Sequence, residues 1–391
     1  MANQDQGMRV LIAPDSFKGS LRADRVARII ARELESVLGA TTSELPLADG
    51  GEGTAEILTT VKRGQLIRER VTDPLGRPVE ARWGRLDNET AVVEMAEASG
   101  LHLVERDERD PLRATTYGTG ELIRAALERG AQRILIGIGG SATVDGGAGM
   151  AQALGVRLVG ETGEEVGYGG GVLDQVAEID ISELDSRVHG TEFLVASDVT
   201  NPLDGDAGVA VYMPQKGATP EMVERLKRNL GHFADRVEAA VGISVRDRPG
   251  AGAAGGLGFG LMAFLNAELR PGIELFLEEL DFESQLDGCD LVISGEGRVD
   301  AQTAYGKVVA GVARLAKRHG KPLIVLAGAR DGELDELYQL GVTAIIDIIP
   351  RPMGVVEAMA EAETFLRMAA REVGYILKLG VNRPEAQRPV D

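Results

Sequence analysis

Charged and hydroxyl side chains crowd into residues 290–307, directly after a short apolar run. That run, 291–293, has the composition of a strand buried on both faces. The polar side chains that follow it are Glu296, Arg298, Asp300, Gln302 and Thr303. A loop at the carboxyl end of a parallel strand is where open α/β sheets bind their ligands. We therefore predict that this loop binds a polar, anionic substrate, in preference to the alternative of a solvated turn with a helix cap.

Two earlier loops repeat this design of a strand followed by glycines and charges. The loop after the first predicted strand carries Asp15 and Lys18, and a later glycine-rich loop carries Asp49 and Glu52. Charged residues in a loop are usually only solvated, so neither pair would indicate a site by itself. Because both pairs fall in βα loops of one predicted domain, we expect them to act together with Glu296 and its neighbours.

A third glycine-rich loop, 137–143, has the context of a phosphate-binding site. It follows a predicted strand and precedes a predicted helix, so its N–H groups could cradle a phosphate at the helix N-terminus. The alternative is a tight turn that merely needs glycines. Ser141, Thr143 and Asp145 add hydroxyl and carboxylate groups, and they favour phosphate binding.

Asp198 follows the buried apolar strand predicted at 193–197. Phosphoryl transfer requires carboxylates for Mg²⁺, cations for the moving group and a base near the acceptor hydroxyl. Asp198 is the candidate for that base or for a Mg²⁺ ligand. An Asx turn before Pro202 is an almost equally good explanation of this residue.

Two other nucleotide-binding patterns are weak or absent. Residues 250–255 match the dinucleotide spacing G-x-G-x-x-G, but the preceding 245–249 make a poor strand, which that fingerprint requires. The P-loop pattern is missing because Val308 stands where it needs Ser or Thr. An ordinary P-loop enzyme is excluded, and a dinucleotide-dependent oxidoreductase stays as a remote alternative.

The order of predicted elements indicates an α/β fold with two domains. Strands alternate with helices after residue 270, which predicts a parallel sheet. We predict a discontinuous Rossmann-like parallel-sheet domain, residues 1–75 plus 271–391, with a second α/β domain, 76–270, inserted into it. The active site is expected in the cleft between the two domains.

Composition excludes several classes of protein. The chain has 391 residues, 44% of them hydrophobic, and a net charge of −19, which argues against a nucleic-acid partner. We find no apolar run of transmembrane length and no signal peptide, so we expect a cytoplasmic protein without a membrane partner. The single cysteine, Cys289, excludes an internal disulfide, and the four histidines lack zinc-ligand spacing. No feature specifies an oligomeric state.

Taken together, the motifs resemble those of the type I glycerate kinase family. The resemblance spans roughly residues 8–378, and its departures are an N-terminal extension, a C-terminal tail and conservative changes such as Ser294. The stretches that carry it are 13–20, 48–54, 114–120, 137–149, 197–203, 214–217, 250–258 and 294–303.

The resemblance implies ATP- and Mg²⁺-dependent phosphorylation of D-glycerate in a two-domain α/β enzyme with a cleft active site. It also implies 2-phosphoglycerate as the product, with a glycerate 3-kinase that gives 3-phosphoglycerate as the alternative. A non-catalytic sensor that binds glycerate is a further alternative. Such a sensor would have little need for so many acidic loop residues suited to Mg²⁺.

Roles within the expected site follow as hypotheses. Asp198 orients or deprotonates the glycerate hydroxyl, and Lys18 and Arg298 neutralise the carboxylate and the moving phosphoryl group. Asp49 and Glu296 hold Mg²⁺, and the loop at 139–146 takes the nucleotide phosphates. The candidate substrate- or nucleotide-binding residues are Asp15, Ser16, Gly50, Gly51, Thr116, Gly139, Gly140, Ser141, Thr143, Asn201, Gly252, Gly255 and Thr303.

Overall fold

The structure is a computed structural model that describes residues 7–48, 50–51, 53–205 and 208–381. Its strands are β1 (Arg9–Ile12), β2 (Thr41–Glu44), β3 (Gln65–Thr72), β4 (Pro78–Arg85), β5 (Thr90–Glu94), β6 (Arg133–Gly137), β7 (Arg157–Val159), β8 (Glu178–Asp180), β9 (Glu192–Ala196), β10 (Glu268–Arg270), β11 (Leu291–Glu296), β12 (Leu323–Ala327) and β13 (Ala344–Asp347). Its α-helices are α1 (Ala23–Leu38), α2 (Thr54–Val61), α3 (Ala96–Ser99), α4 (Tyr117–Glu128), α5 (Ala148–Ala153), α6 (Pro220–Val241), α7 (Ala253–Leu265), α8 (Gly272–Glu279), α9 (Phe282–Asp287), α10 (Val308–Arg318), α11 (Asp335–Leu340), α12 (Val355–Ala360) and α13 (Ala362–Val381).

The chain divides into two compact units. Unit 1 is formed by the described residues of Met1–Asp49 and Phe276–Asp391, and unit 2 by those of Gly50–Leu275. An α/β unit interrupted by a second α/β unit confirms the predicted fold class.

The sheet of unit 1 is entirely parallel, with the order β2-β1-β11-β12-β13. Counted within the unit, this order is 2-1-3-4-5. That is the doubly wound order of flavodoxin-like domains, which differs from the order 3-2-1-4-5-6 of dinucleotide-binding Rossmann domains. The strand order reverses between β1 and β11, so the loops that follow these two strands flank the position where such sheets bind ligands.

Helices cover both faces of this sheet. Helix α1 has apolar residues at helical spacing and ends at Gly39, whose φ of 66° is left-handed. It packs with α13 against the face that carries Val10 and Ile12. Leu11 points to the other face, because side chains alternate along a strand, and it is buried as well. The sequence pattern predicts one helix over 354–378, whereas the structure has two, α12 and α13, which separate at Glu361.

The main sheet of unit 2 has the order β10-β9-β6-β5-β4-β3. Strands β5, β6, β9 and β10 are parallel, and β3 and β4 form an antiparallel hairpin at one edge. The sequence pattern predicts a helix that follows the glycine-rich stretch 250–260 and runs to about residue 269, and it gives no sign of β10. Helix α7 instead ends at Leu265, because Asn266 adopts a left-handed conformation with φ 51°.

The boundaries between the two units fall at different positions in the sequence from those predicted. The first division falls after residue 49 instead of 75, and the second falls inside α8 instead of at 271. The prediction of a boundary near residue 75 rests on the turn residues at 72–77. These residues form the turn of the β3–β4 hairpin, whose two strands belong to one sheet. Residues 50–75 therefore fold with unit 2.

Within the described ranges, every helix is too short or too polar to cross a lipid bilayer.

Candidate active site

In unit 1, the loops after β1 and β11 lie against each other at the point where strand order reverses. The backbone N–H of Asp15 donates to the carbonyl of Gly295 at 2.8 Å. The approach is close enough that a Cβ on Gly297 would lie 3.3 Å from Cα of Phe17. The structure therefore brings together Asp15, Ser16 and Lys18 with Glu296 and its neighbours, as the sequence predicted for this edge.

Glu296 is a buried carboxylic acid at the centre of this edge, with 5% of its surface exposed. The Thr303 hydroxyl donates to its Oε1 at 2.6 Å. Burial raises the pKa of Glu296 to about 7, and the negative charges of Asp15 and Asp300 add to that rise. The hydrogen bond from Thr303 and the Lys307 ammonium oppose the rise. Thr303 is itself fully buried, so the structure supports a role in orienting Glu296.

The predicted cations of unit 1 are exposed at the same edge. Lys18 is exposed, and the side chain of Arg298 is 62% exposed. Arg298 forms an ion pair with Asp331 and a longer one, at 3.5 Å, with Asp300. Ion pairs this exposed contribute little to stability. The guanidinium can therefore exchange these partners for an anionic ligand at small cost.

In unit 2, the loop after β6 and the glycines at 50–51 meet at the carboxyl edge of the sheet. A Cβ on Gly139 would lie 3.3 Å from Cα of Gly51. Likewise, a Cβ on Gly137 would lie 2.7 Å from the carbonyl oxygen of Gly50. Gly139 and Gly140 are exposed, so their backbone groups can be reached by a ligand.

The rest of the β6 loop lies beneath that exposed turn. Ser141 is 8% exposed, and Thr143 and Asp145 are fully buried. The Thr143 hydroxyl has no hydrogen-bond partner among the residues that the structure describes. The residues predicted to touch phosphate thus separate into an accessible pair of glycines and a buried group that supports them.

Asp145 holds the buried part of this loop together. Its carboxylate accepts hydrogen bonds from the Thr116 N–H and hydroxyl at 2.8 and 2.9 Å, and from the N–H groups of Gly147 and Gly149 at 3.2 and 3.3 Å. Burial raises the pKa of Asp145, and these donors oppose the rise. Thr116 is fully buried in this network, which supports a positioning role for it.

Lys216 completes the group, and sequence analysis gave it no role. It is 2% exposed, and its Nζ donates to Ser141 Oγ at 2.6 Å and to the Thr143 carbonyl at 2.7 Å. Burial lowers the pKa of Lys216 to about 7, and the negative charge of Asp145 opposes that fall. The sequence signal for Lys216 is that it lies in 214–217, one of the stretches that carry the family resemblance. That signal does not indicate burial, because a lysine between turn residues is usually exposed.

Glu94 is a second buried residue that sequence analysis did not single out. It ends β5, and its carboxylate accepts hydrogen bonds from the N–H of Gly53, at 3.1 Å, and from the N–H of Ala55. Its position therefore fixes the start of α2 and the end of the glycine-rich loop before it. Burial raises the pKa of Glu94 to about 7.

Asp198 and Asn201 lie at the carboxyl end of β9, on the same edge. Asp198 is exposed, and its Oδ1 accepts a hydrogen bond from the Gly272 N–H at 3.1 Å, at the start of α8. Asn201 Oδ1 accepts from the Tyr212 hydroxyl at 3.0 Å. The contact of Asp198 is thus a long-range helix cap, and it leaves the residue accessible.

Gly252 and Gly255 are buried in backbone packing. The Gly252 N–H donates to the Asn201 carbonyl at 2.9 Å. Gly255 has φ +73°, and a Cβ on it would lie 1.9 Å from the Thr143 carbonyl oxygen. The residues before Gly250 form no strand, so the dinucleotide fingerprint lacks the context it requires. The structure supports a packing role for both glycines.

The predicted site residues therefore form two sets, one at the carboxyl edge of each parallel sheet. Asp49 and Glu52 lie outside the described residues. Across the described part of the chain, no three His, Cys, Asp or Glu residues are grouped as ligands of a metal ion. Two sheets with polar, glycine-rich loops at their carboxyl edges are typical of α/β enzymes that bind anionic substrates.

Comparisons with known proteins identify the family. The model of the glycerate kinase family matches residues 10–378. The chain is 51% identical to the glycerate kinase of Bacillus subtilis (strain 168), over 95% of this chain and 98% of that protein. It is 46% identical to the glycerate 2-kinase of Escherichia coli (strain K12), over 96% and 99%. A crystal structure from Salmonella typhimurium LT2, assigned as glycerate kinase 2, superposes with a TM-score of 0.88 at 46% identity, covering 96% of this chain and 100% of that one.

The chain belongs to the glycerate kinase family. It is a phosphotransferase with an alcohol group as acceptor.

Proposed function

We propose that this protein transfers the γ-phosphoryl group of ATP to the 2-hydroxyl of D-glycerate and releases ADP and 2-phosphoglycerate. The observation that carries the choice of position is the likeness, along almost the full length of both chains, to the E. coli protein named glycerate 2-kinase. We also propose that the reaction takes place in the cytoplasm, where ATP is available, as expected from the sequence.

In the proposed reaction, the oxygen of the glycerate hydroxyl forms a bond to the γ-phosphorus. The bond between that phosphorus and the β,γ-bridging oxygen breaks, and ADP leaves with the electron pair. Asp198 accepts the proton of the glycerate hydroxyl or orients that hydroxyl for attack. This role follows from the need of kinases for a base near the acceptor hydroxyl. The exposure of Asp198 at the end of β9 supports this role.

The carboxylates of unit 1 fit Mg²⁺. Mg²⁺ is usually held by one or two carboxylates together with substrate phosphates, so a larger protein cluster is not required. The raised pKa of Glu296 indicates that burial and the neighbouring Asp15 disfavour its negative charge, and a cation would reverse that balance. We propose Glu296 and Asp49 as the ligands. When bound, Mg²⁺ supplies charge neutralisation at the phosphates.

Lys18 and Arg298 are proposed to neutralise the carboxylate of glycerate and the moving phosphoryl group. Both residues are exposed beside Glu296. Arg298 forms ion pairs with Asp331 and Asp300, and this supports the proposal because a guanidinium that can reach these carboxylates can also reach an anionic ligand. Asp15 and Ser16 lie in the same loop as Lys18 and complete the proposed substrate contacts of unit 1.

The loop at 139–146 is proposed to bind the phosphates of the nucleotide. Its support is the exposed backbone of Gly139 and Gly140, packed beside Gly50 and Gly51 over a buried ammonium group. Thr143 is fully buried beneath these glycines, so its proposed role is to support the loop. The expectation that the reaction takes place between the two units stays a prediction.

The proposal is tested by a ³¹P NMR spectrum of the purified protein with D-glycerate, ATP and Mg²⁺. We expect a new phosphomonoester signal together with the signals of ADP. A phosphate on the 2-oxygen couples to the single proton of that carbon and gives a doublet. A phosphate on the 3-oxygen couples to a CH₂ group and gives a triplet, which would establish the 3-kinase alternative.

Matched samples identify the requirements of the reaction. A sample with EDTA in excess of Mg²⁺ should show no product, and one with L-glycerate tests whether the enzyme selects the D-configuration. Intact ATP in the complete sample, with protein shown to be folded by circular dichroism, would contradict the proposal. Binding of D-glycerate without turnover would then indicate the sensor. NAD(P)H binding, seen as a fluorescence change, would indicate the oxidoreductase.

A further inference from the structure

Lys216 is a buried ammonium group whose hydrogen-bond partners are both uncharged. It ends the short 3₁₀ turn Pro214–Lys216, and it is 2% exposed. Its Nζ bonds to the Ser141 hydroxyl at 2.6 Å and to the Thr143 carbonyl at 2.7 Å. The nearest opposite charge that acts on it is the carboxylate of Asp145. Two distant turns of the chain are thus joined through one side chain.

A lysine in this position is a poor choice for stability alone. Moving an ammonium group out of water costs several kcal/mol, and hydrogen bonds to neutral acceptors recover only part of that cost. An apolar side chain of similar length, such as methionine, would fill the same space without the cost of desolvation. The retained charge therefore points to a role beyond packing.

The place of that charge identifies the role. Ser141 and Thr143 directly follow the exposed Gly139–Gly140 turn, and Asp145 lies further along the same loop. The Nζ of Lys216 bonds to the Ser141 side chain and to the Thr143 backbone, and it adds these two bonds to those that Asp145 makes at the far end of the loop. Burial lowers the pKa of Lys216 to about 7, so an anion bound at the turn above it would favour the protonated, positively charged form.

The turn that carries Lys216 is itself fixed from the other side. Gly217 has φ +95°, and a Cβ on it would lie 2.6 Å from the Arg109 carbonyl oxygen. Arg109 Nη1 donates to the Gln215 carbonyl at 3.3 Å. These contacts fix the turn that carries Lys216. The side chain of Lys216 is therefore held in place, and it can position the 139–146 loop.

We propose that Lys216 is a positioning residue for nucleotide binding, which fixes the 139–146 loop in the conformation that receives the phosphates and adds positive charge beneath them. This inference rests on the proposed function of that loop. It predicts that the contribution of Lys216 is specific to the nucleotide and does not extend to glycerate.

The test is Lys216→Met, which keeps the length of the side chain and removes its charge and its donors. We expect the KM for ATP, and the Kd for ADP from isothermal titration calorimetry, to rise about tenfold, with the KM for D-glycerate unchanged. Lys321→Met is the matched control. Lys321 is half-buried in unit 1 and also donates to a backbone carbonyl, that of Cys289 at 2.8 Å, so its variant should keep ADP affinity.

A second variant keeps the test decisive if Lys216→Met does not fold. Lys216→Gln retains N–H donors without the charge, and we expect it to fold and to weaken ADP binding by a smaller factor. Unchanged ADP affinity in either folded variant would overturn the proposal. An equal rise of the KM for ATP and for glycerate would do so too, because it would show a general loss of structure.

Gly140→Ala separates this inference from the function it rests on. Gly140 is exposed and has φ +75°, so an added methyl group disturbs the turn itself. If Gly140→Ala weakens ADP binding and Lys216→Met does not, the inference about Lys216 fails alone. If neither variant changes ADP affinity, the loop does not bind the nucleotide phosphates, and both proposals fail.

Discussion

The two sheet edges that carry the candidate residues both lie at the carboxyl ends of parallel strands, and they differ in the ionisable groups buried there. In unit 1, the buried ionisable group is an acid, Glu296, which is surrounded by further carboxylates. In unit 2, a buried lysine, Lys216, lies beneath exposed glycines together with the buried acid Asp145. The carboxyl end of a parallel sheet thus supplies a position for ligands, and the residues buried beneath it decide which charge is favoured there.

This difference also shows why net charge is a poor guide to ligands. The chain carries −19, yet we propose that the loop at the edge of unit 2 binds the phosphates of a nucleotide. Over distances beyond about 10 Å, exposed charges are largely screened by salt, whereas a buried charge close to the ligand is screened much less. The net charge of the chain therefore does not decide which ligand a local site binds.

The largest expected effect comes from removing one proposed catalytic group at each edge. We expect Asp198→Asn in unit 2 to lower kcat by about 10²–10⁴-fold, as the loss of a general base does. Arg298→Ala in unit 1 should lower kcat by a similar factor, because the positive charge that Arg298 presents to the negative phosphoryl group is lost. Neither change should unfold the protein. Steady-state kinetics with ATP and D-glycerate measures both effects.

Two controls match these substitutions. Arg318→Ala removes another exposed arginine of unit 1, which pairs with Glu283, and Asp180→Asn removes a carboxylate of β8. Both controls should keep kcat within about twofold, since surface substitutions away from a site are usually near neutral. Near-normal turnover in Asp198→Asn and in Arg298→Ala would refute the assigned roles at both edges.

Glu296→Gln tests whether the acidic edge binds a cation. The substitution keeps the shape and the hydrogen bond from Thr303 but removes the charge. We expect kcat to fall by about a hundredfold and the Mg²⁺ concentration for half-maximal rate to rise. The titration of activity with Mg²⁺ measures both.

Asp290→Asn is the control at the opposite end of the same strand, where the carboxylate pairs with Arg9. It should leave the Mg²⁺ requirement unchanged. An unaltered Mg²⁺ requirement in Glu296→Gln would exclude this residue as a ligand.

Gly255→Ala tests the packing beneath the edge of unit 2. An added Cβ would lie 1.9 Å from the Thr143 carbonyl oxygen in a backbone with φ +73°, so we expect a loss of about 4 kcal/mol or more. Gly242→Ala has the same kind of backbone, φ +74°, with nothing within 4 Å. It should lose only about 1–2 kcal/mol. Urea unfolding followed by circular dichroism compares the two, and equal losses would contradict the packing argument.

The smallest effect concerns Glu94, the acid at the edge of unit 2. Its pKa is about 7 when folded against 4.5 normally, so its contribution to stability is complete below pH 4.5 and is lost as the pH rises to about 7. Glu94→Gln should make the decline of stability between pH 5 and pH 7 shallower, by at most about 1.4 kcal/mol per pH unit. The urea midpoint at each pH measures this.

Glu192→Gln serves as the control for this pH effect. Glu192 is exposed at the other end of the sheet, where it pairs with Arg133. The slope of this variant should equal that of the unaltered protein. An unchanged slope in Glu94→Gln would mean that Glu94 is ionised in the folded protein at acidic pH.

Much of the fold could be predicted because its signals are local. Apolar spacing located α1, and short apolar runs located β1 and β11, since both patterns reflect burial of one stretch at a time. The motifs at 137–149 and 294–303 also identified the family correctly. The strand β10 could not be predicted because its three residues are too few to show the alternation of apolar and polar side chains that indicates a strand. The domain boundary was misplaced because a hairpin turn and a linker share the same turn residues.

The sequence by itself determined the family, the alternation of strands and helices, and the loops in which polar residues gather. Tertiary structure decided which of those residues are accessible and which are buried. Lys216 and Ser141 are 75 residues apart, and no local pattern indicates that they bond. Likewise, Gly255 matched a nucleotide fingerprint but packs against Thr143. Burial and pKa depend on contacts between distant segments, and those contacts exist only once the chain has folded.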